Sequence, residues 1–163
     1  MSSNLTELYN TAMFIVSAAL LNETVQAKSI QFFGKKLRGY IGGIDTFNET
    51  DPEARYPYFQ VTPTNLETTN GHRVITVHAQ LAIRADRFGD STKPVYSEEN
   101  WNFPLQVGAY VEMFDLVQAV EDAIREENIG SVIDSIDYEF DLENQYPVQV
   151  ADMTITVSDL EAF

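Results

Sequence analysis

Residues 73–87 read RVITVHAQLAIRADR and alternate without a break. Ile75, Val77, Ala79, Leu81, Ile83 and Ala85 fall on one side. Thr76, His78, Gln80, Ala82, Arg84 and Asp86 fall on the other, with Val74 the one large apolar residue among them. A period of two over this length marks a half-buried strand. At ~3.3 Å per residue it would run roughly 50 Å, well beyond the usual strand of about five or six residues. A small domain is not expected to cover that length, so the excess is expected to protrude as a hairpin arm or to pair with another subunit. Ile75, Val77, Leu81 and Ile83 are accordingly candidate subunit-interface residues.

Working outward, Asn70-Gly71 is a strong hairpin-turn dipeptide and joins the long strand to an earlier one. That earlier strand starts at Pro57, with Tyr58, Gln60 and Thr62 alternating with Phe59 and Val61, and Pro63 forces an edge position or a bulge. On the other side, residues 88–104 form a loop of about 17 residues, long enough to expect a binding role or ordering by a partner. It contains the only tryptophan, Trp101, beside Phe103 and near Tyr96. Two readings stand for Trp101: an aromatic that closes the loop onto its own domain, and an exposed anchor for a partner.

Helical periods flank this β region. Asn4 and Glu7 have capping-box spacing, and Leu5, Leu8, Tyr9, Ala12, Val16, Ala19 and Leu20 follow on one face. Met13, Phe14 and Ile15 widen the stripe almost all round. Such a helix needs cover on more than one side, which makes Phe14 a further interface candidate. It is expected to end near residues 22–24. Residues 29–44 are ambiguous, with a strand candidate at 37–44 whose glycines mark turns or bulges. A second helix is expected over 107–128, with Tyr110, Val111, Phe114, Val117, Val120 and Ile124 inward and Gly130 as its stop. Two alternating strands close the chain, one around Ile136–Tyr138–Phe140–Leu142 and one around Met153–Ile155–Val157. The expected fold is α+β over a single domain, 1–163: an antiparallel sheet with a long protruding β-hairpin and two helices packed on one face.

Charge divides the chain unevenly. Net charge is −15; residues 1–111 carry 11 acids against 9 bases, and residues 112–163 carry 14 acids against Arg125 alone. That balance argues against ordinary nucleic-acid binding, which needs Lys and Arg at the phosphates. No apolar run approaches the ~20 residues of a membrane span, and no basic segment precedes residues 12–21, so neither a membrane anchor nor a signal peptide is expected. There are no cysteines, so disulfides and thiolate metal sites are excluded.

No motif for chemistry emerges. His72 and His78, the candidate acid–base groups near neutral pH, lie six apart on one strand. They point the same way but ~20 Å apart, too far to share a reaction centre. Asp134, Asp137, Glu139, Asp141 and Glu143 lack the glycine of a calcium loop, and their period of two makes them a solvent-facing ladder. Phosphate-loop, dinucleotide-binding and G-x-S-x-G patterns are absent. The chain is expected to be no enzyme and to need neither cofactor nor metal.

The order of parts resembles the phage tail terminator family, also described as tail-completion or head–tail joining proteins. An apolar first helix is followed by a glycine-bearing strand at 38–44, then RYPYFQV (55–61) and RVITVHAQLAI (73–83). A late amphipathic helix, VEMFDLVQAVEDAI (111–124), precedes a short strand, DMTITVSD (152–159). The chain departs from the pattern by its strand-like segment at 135–143 and its long loop before the second helix. The resemblance implies a homo-oligomeric ring, typically a hexamer, that caps the tail tube and docks to the head connector, with genomic DNA passing through unread. It implies a place in the virion neck after assembly in the host cytoplasm. An acidic lumen would repel phosphates, which makes Asp137, Glu139 and Asp141 lumen-facing candidates. Two alternatives stand beside it: another neck, connector or head-closure protein, and an acidic protein-binding module that mimics nucleic acid.

Overall fold

The structure is a computed structural model and describes residues 4–43, 55–69, 71–84, 92–94, 105–107, 110–127, 131–142, 144 and 147–159. In chain order its elements are α1 (Asn4–Leu20), α2 (Glu23–Phe33), β1 (Arg38–Ile41), β2 (Tyr58–Thr69), β3 (His72–Arg84), β4 (Thr92–Pro94), β5 (Leu105–Val107), α3 (Tyr110–Glu126), β6 (Ser131–Asp141) and β7 (Val148–Asp159). The fold is α+β. Its main sheet has the order β1-β2-β3-β7-β6, and β4 pairs with β5 in a separate two-stranded ladder. No helix among the described residues is long and apolar enough to cross a membrane.

Three features differ from the sequence expectation. β1 runs parallel to β2, so the sheet is mixed; the other three joints are antiparallel. A third helix, α2, occupies part of the segment that reads ambiguously. Its apolar stripe is thin because only Val25, Ser29 and Phe33 are buried, one turn apart. Its ends carry the signals that do mark it. The Asn22 side chain accepts from the Val25 amide at 3.1 Å, and Gly34 takes the left-handed conformation (φ 74°) at the C-terminus.

The third difference concerns the long strand. β3 pairs with β2 from His72 to Ala82 and with β7 from Arg73 to Arg84. β7 therefore accompanies the β2–β3 hairpin to its tip, and the hairpin lies within the sheet. The length is covered because β2, β6 and β7, at 12, 11 and 12 residues, are as long as β3 needs. Ile75, Val77, Leu81 and Ile83 are consequently buried in the chain's own core and offer no surface to a neighbour. Pro63 does mark an irregularity, a register shift between Pro63 and Asn65.

Cross-strand register places one row of side chains after another on a common face. Phe59, Leu81, Ala151 and Phe140 form one row, and Val61, Ala79, Met153 and Tyr138 the next. The helices pack on this face: Ala12, Ile15, Val16 and Ala19 of α1 and Met113, Leu116, Val120 and Ile124 of α3 share its core. In α3, Val117, Val120 and Ile124 face inward as expected, but in its first turns Met113 and Leu116 are inward while Val111 and Phe114 are 65% and 45% exposed. Both sets are apolar, so periodicity alone leaves the phase open. Phe14 is partly buried against the core. Polar ties fix the layers: Arg73 pairs with Glu7 of α1, and Tyr138 of β6 donates to Glu121 of α3 at 2.6 Å.

α1 lies so close to β1 that a Cβ at Gly39 would stand 2.3 Å from Leu20 Cδ1 and 2.9 Å from Val16 Cγ1. Glycine is needed there for approach. Gly39→Val is expected to destabilise the fold by about 1–3 kcal/mol through overpacking. Gly43→Ala, whose Cβ meets nothing within 4 Å, is expected to change stability by no more than about 0.5 kcal/mol. Chemical denaturation of both variants checks this; equal stabilities would show that the α1–β1 contact is loose.

Candidate functional site

The other face of the main sheet carries no described helix. Along β3 the even-numbered residues point to it, and register extends each position across the sheet. One row runs Tyr40, Gln60, Gln80, Asp152, Glu139, and the next Thr62, His78, Thr154, Asp137. Antiparallel sheets often keep one solvated face of this kind. Here that face is acidic. Asp137 and Glu139 are exposed, and Asp141 is half-buried and accepts from the Asn144 amide at 3.1 Å. Ser158 donates to Asp134. Asp137, Glu139 and Asp141 therefore share one face, as their period of two requires. Trp101, the remaining candidate, lies outside the described residues.

A polar chain crosses the middle of the face. Tyr58 Oη donates to Gln80 Oε1 at 3.0 Å, and Gln80 Nε2 donates to Asp152 Oδ1 at 3.3 Å. His78 Nε2 lies 3.3 Å from the same oxygen. Glu139 stands directly opposite Asp152 in the ladder. Like charges so placed are destabilising, and the hydrogen bond from Gln80 offsets part of that cost. Sequence alternation assigns each of these residues a face but cannot pair them. Asp152 and His78 meet because β3 and β7, about seventy residues apart, run in one particular register.

At one end the face turns aromatic. Tyr58, Ala82 and Val150 are buried together, with Tyr40, Tyr56 and Val148 packed around them. Tyr58 lies 5.9 Å from Tyr40 and 5.4 Å from Tyr56, centroid to centroid, and Arg55 sits over Tyr56 at 5.8 Å. Burial, and then the neighbouring Tyr56, push the Tyr58 phenol up to about 12. Burial also raises the Tyr138 phenol, which donates to Glu121 beneath the opposite edge.

Two concave features lie outside the middle of the open face, one in the helical layer and one at the β6 edge. A cleft of ≈ 170 Å³ between α2 and α3 is lined by Asn22, Gln118, Asp122 and Glu126 and closed by the Lys28–Asp115 ion pair at 3.0 Å. A hollow of ≈ 290 Å³ beside the end of β6 is lined by Tyr110, Phe140, Asp141, Leu142 and Asn144. Among the described residues no three His, Asp or Glu side chains converge as metal ligands would. The open face is a broad, negatively charged polar surface, suited to repelling phosphates or receiving a basic partner. No family model matches the chain, and neither does any curated protein.

Tyr58 gives the fold a pH dependence with a definite sign. Its folded pKa is above the free value of 10, so the neutral phenol is the form that the fold prefers. Its contribution to stability is full below pH 10 and is lost as pH rises through about 12. Comparing alkaline unfolding of the wild type with Tyr58→Phe is expected to show the wild type losing stability over that window more steeply. Parallel curves would show that Tyr58 does not titrate late.

Proposed function

We propose that the chain is a structural protein of the phage virion, a tail terminator whose subunits form a ring at the head end of the tail tube. The ring caps the tube, stops its growth and joins it to the head connector, while DNA passes through the centre. The observation that carries this reading is the open sheet face, where Asp137, Glu139, Asp141 and Asp152 gather opposite the helical layer. Lining a ring with this face places a repeated set of carboxylates around the lumen, since rotational symmetry copies each charge in every subunit. At a Debye length of ~8 Å in physiological salt, those charges keep phosphates off the wall without binding them. DNA then slides without sticking.

The order of elements supports the same reading: an apolar N-terminal helix, a glycine-bearing short strand, the long central strand and a late amphipathic helix. Such a ring works by geometry and charge; catalysis, cofactor and metal have no part in it. Its partners are further copies of itself, the tail tube protein and the connector.

Native mass spectrometry tests the reading. The chain, at on the order of tens of micromolar, is expected to give a closed oligomer of one dominant stoichiometry, six in the simplest case. A strictly monomeric chain that instead binds a basic protein tightly would contradict it and favour a nucleic-acid mimic.

A further inference from the structure

The main sheet ends on β1 at one side and β6 at the other, and among the described residues no strand pairs with the outer edge of either. An unpaired edge is a template for another strand, and proteins that keep such edges single usually blunt them. Here the two edges carry opposite charge. On the open face β6 presents Asp137, Glu139 and Asp141, and β1 presents the exposed Arg38, preceded in sequence by Lys35 and Lys36.

Backbone direction makes the two edges compatible. β1 and β2 run one way, β3 the other, β7 back and β6 back again. Placing a second copy beside the first in the same orientation therefore sets β6 against the next β1 as an antiparallel pair. Arg38 N donates inward to Pro57 O at 3.2 Å and Gly42 N to Val61 O at 2.9 Å. By the alternation of a strand, Gly39 and Ile41 turn their backbone groups outward, to the free edge.

The rows of the sheet supply one register for the joint. One row of the sheet runs Arg38, Tyr58, Ala82, Val150, Asp141, and the adjoining row runs Gly39, Phe59, Leu81, Ala151, Phe140. Continued without shear into the next copy, Asp141 faces Arg38 and Phe140 faces Gly39. A slip of two residues places Glu139 opposite Arg38 instead, so a carboxylate still meets the guanidinium. Pairing like edges is poorer: β6 against β6 opposes carboxylates, and β1 against β1 offers only four residues and no acidic partner for Arg38. On the helix side, Phe140 and Phe114, in edge-to-face contact at 5.1 Å, are 39% and 45% exposed, an apolar lip that a neighbour would cover. The hollow beside Asp141 gives the arriving side chain room.

We propose that β6 of one subunit pairs antiparallel with β1 of the next, so that the sheets of a ring join edge to edge with Asp141 facing Arg38 across each joint. This rests on the ring reading and specifies its contact. The joint is head-to-tail, the type that closes into rings. It also continues the acidic face from subunit to subunit.

Charge exchange tests the joint. Arg38→Glu and Asp141→Arg are each expected to weaken assembly roughly tenfold or more, by setting like charges opposite one another. The double variant restores the pair in reverse and is expected to recover most of the loss. Circular dichroism and thermal melting confirm that each variant is folded. Hydrogen exchange on the wild type is a second readout: the Gly39 and Ile41 amides are expected to become protected on assembly. Single variants that form rings with wild-type affinity, or unchanged exchange at those amides, overturn the edge joint and leave the ring itself standing. A double variant no better than the singles also overturns it. A wild-type chain that stays monomeric overturns both.

Discussion

The structure depends on β3 satisfying its backbone along both edges. A strand in the middle of a sheet must find a partner for every N–H and C=O on each side, or leave them buried and unpaired at a cost of roughly 1–3 kcal/mol per group. β2 and β7 meet that demand over almost its whole length. Once β3 is central, the parity of its residues decides the rest. Odd positions from Ile75 to Ile83 face α1 and α3 in a closed core. Even positions from Thr76 to Gln80 face away, and with them the polar halves of β2, β7 and β6.

Among the described residues the helices pack on one face of the sheet, which leaves the polar part of the other face and the two edges for contact. The open face is uneven in charge, acidic toward β6 and carrying Arg38, Tyr40 and Arg55 toward β1. Glu139 opposite Asp152 shows that this charge is kept against a local electrostatic cost. A monomer gains nothing from such a pairing. In a ring the same carboxylates act together on whatever passes through the lumen. In the ring we propose, the polarity between the edges sets the direction of assembly and the acidic face forms the wall.

Much of the architecture is legible in the sequence. The alternation of residues 73–84, the Asn70-Gly71 turn and the helical period after Tyr110 give β3, its hairpin and α3. What escapes is whatever depends on pairing at a distance. The parallel joint of β1 with β2 leaves no local mark, and α2 is announced only by its caps, because three buried residues make too thin a stripe. Ile75, Val77, Leu81 and Ile83 look surplus to a small domain until β6 and β7 are seen to be equally long strands. Asp137, Glu139 and Asp141 are placed on one face by period alone, whereas their relation to Asp152 and to the row of Arg38 follows only from register. At the start of α3 the apolar stripe is wide enough that either Met113 and Leu116 or Val111 and Phe114 suit the core; the fold buries the first pair and leaves Phe114 against Phe140 at the edge.

The central claim is that the bare sheet face, not the helical layer, lines the channel of a ring. Electron cryomicroscopy of the assembled protein, resolved to secondary structure, tests it directly. The account predicts strands β2, β3, β7 and β6 around the lumen, with Asp137, Glu139 and Asp152 directed inward and α1 and α3 on the outside. A ring with its helices around the lumen and its acidic sheet face on the outer rim would contradict it.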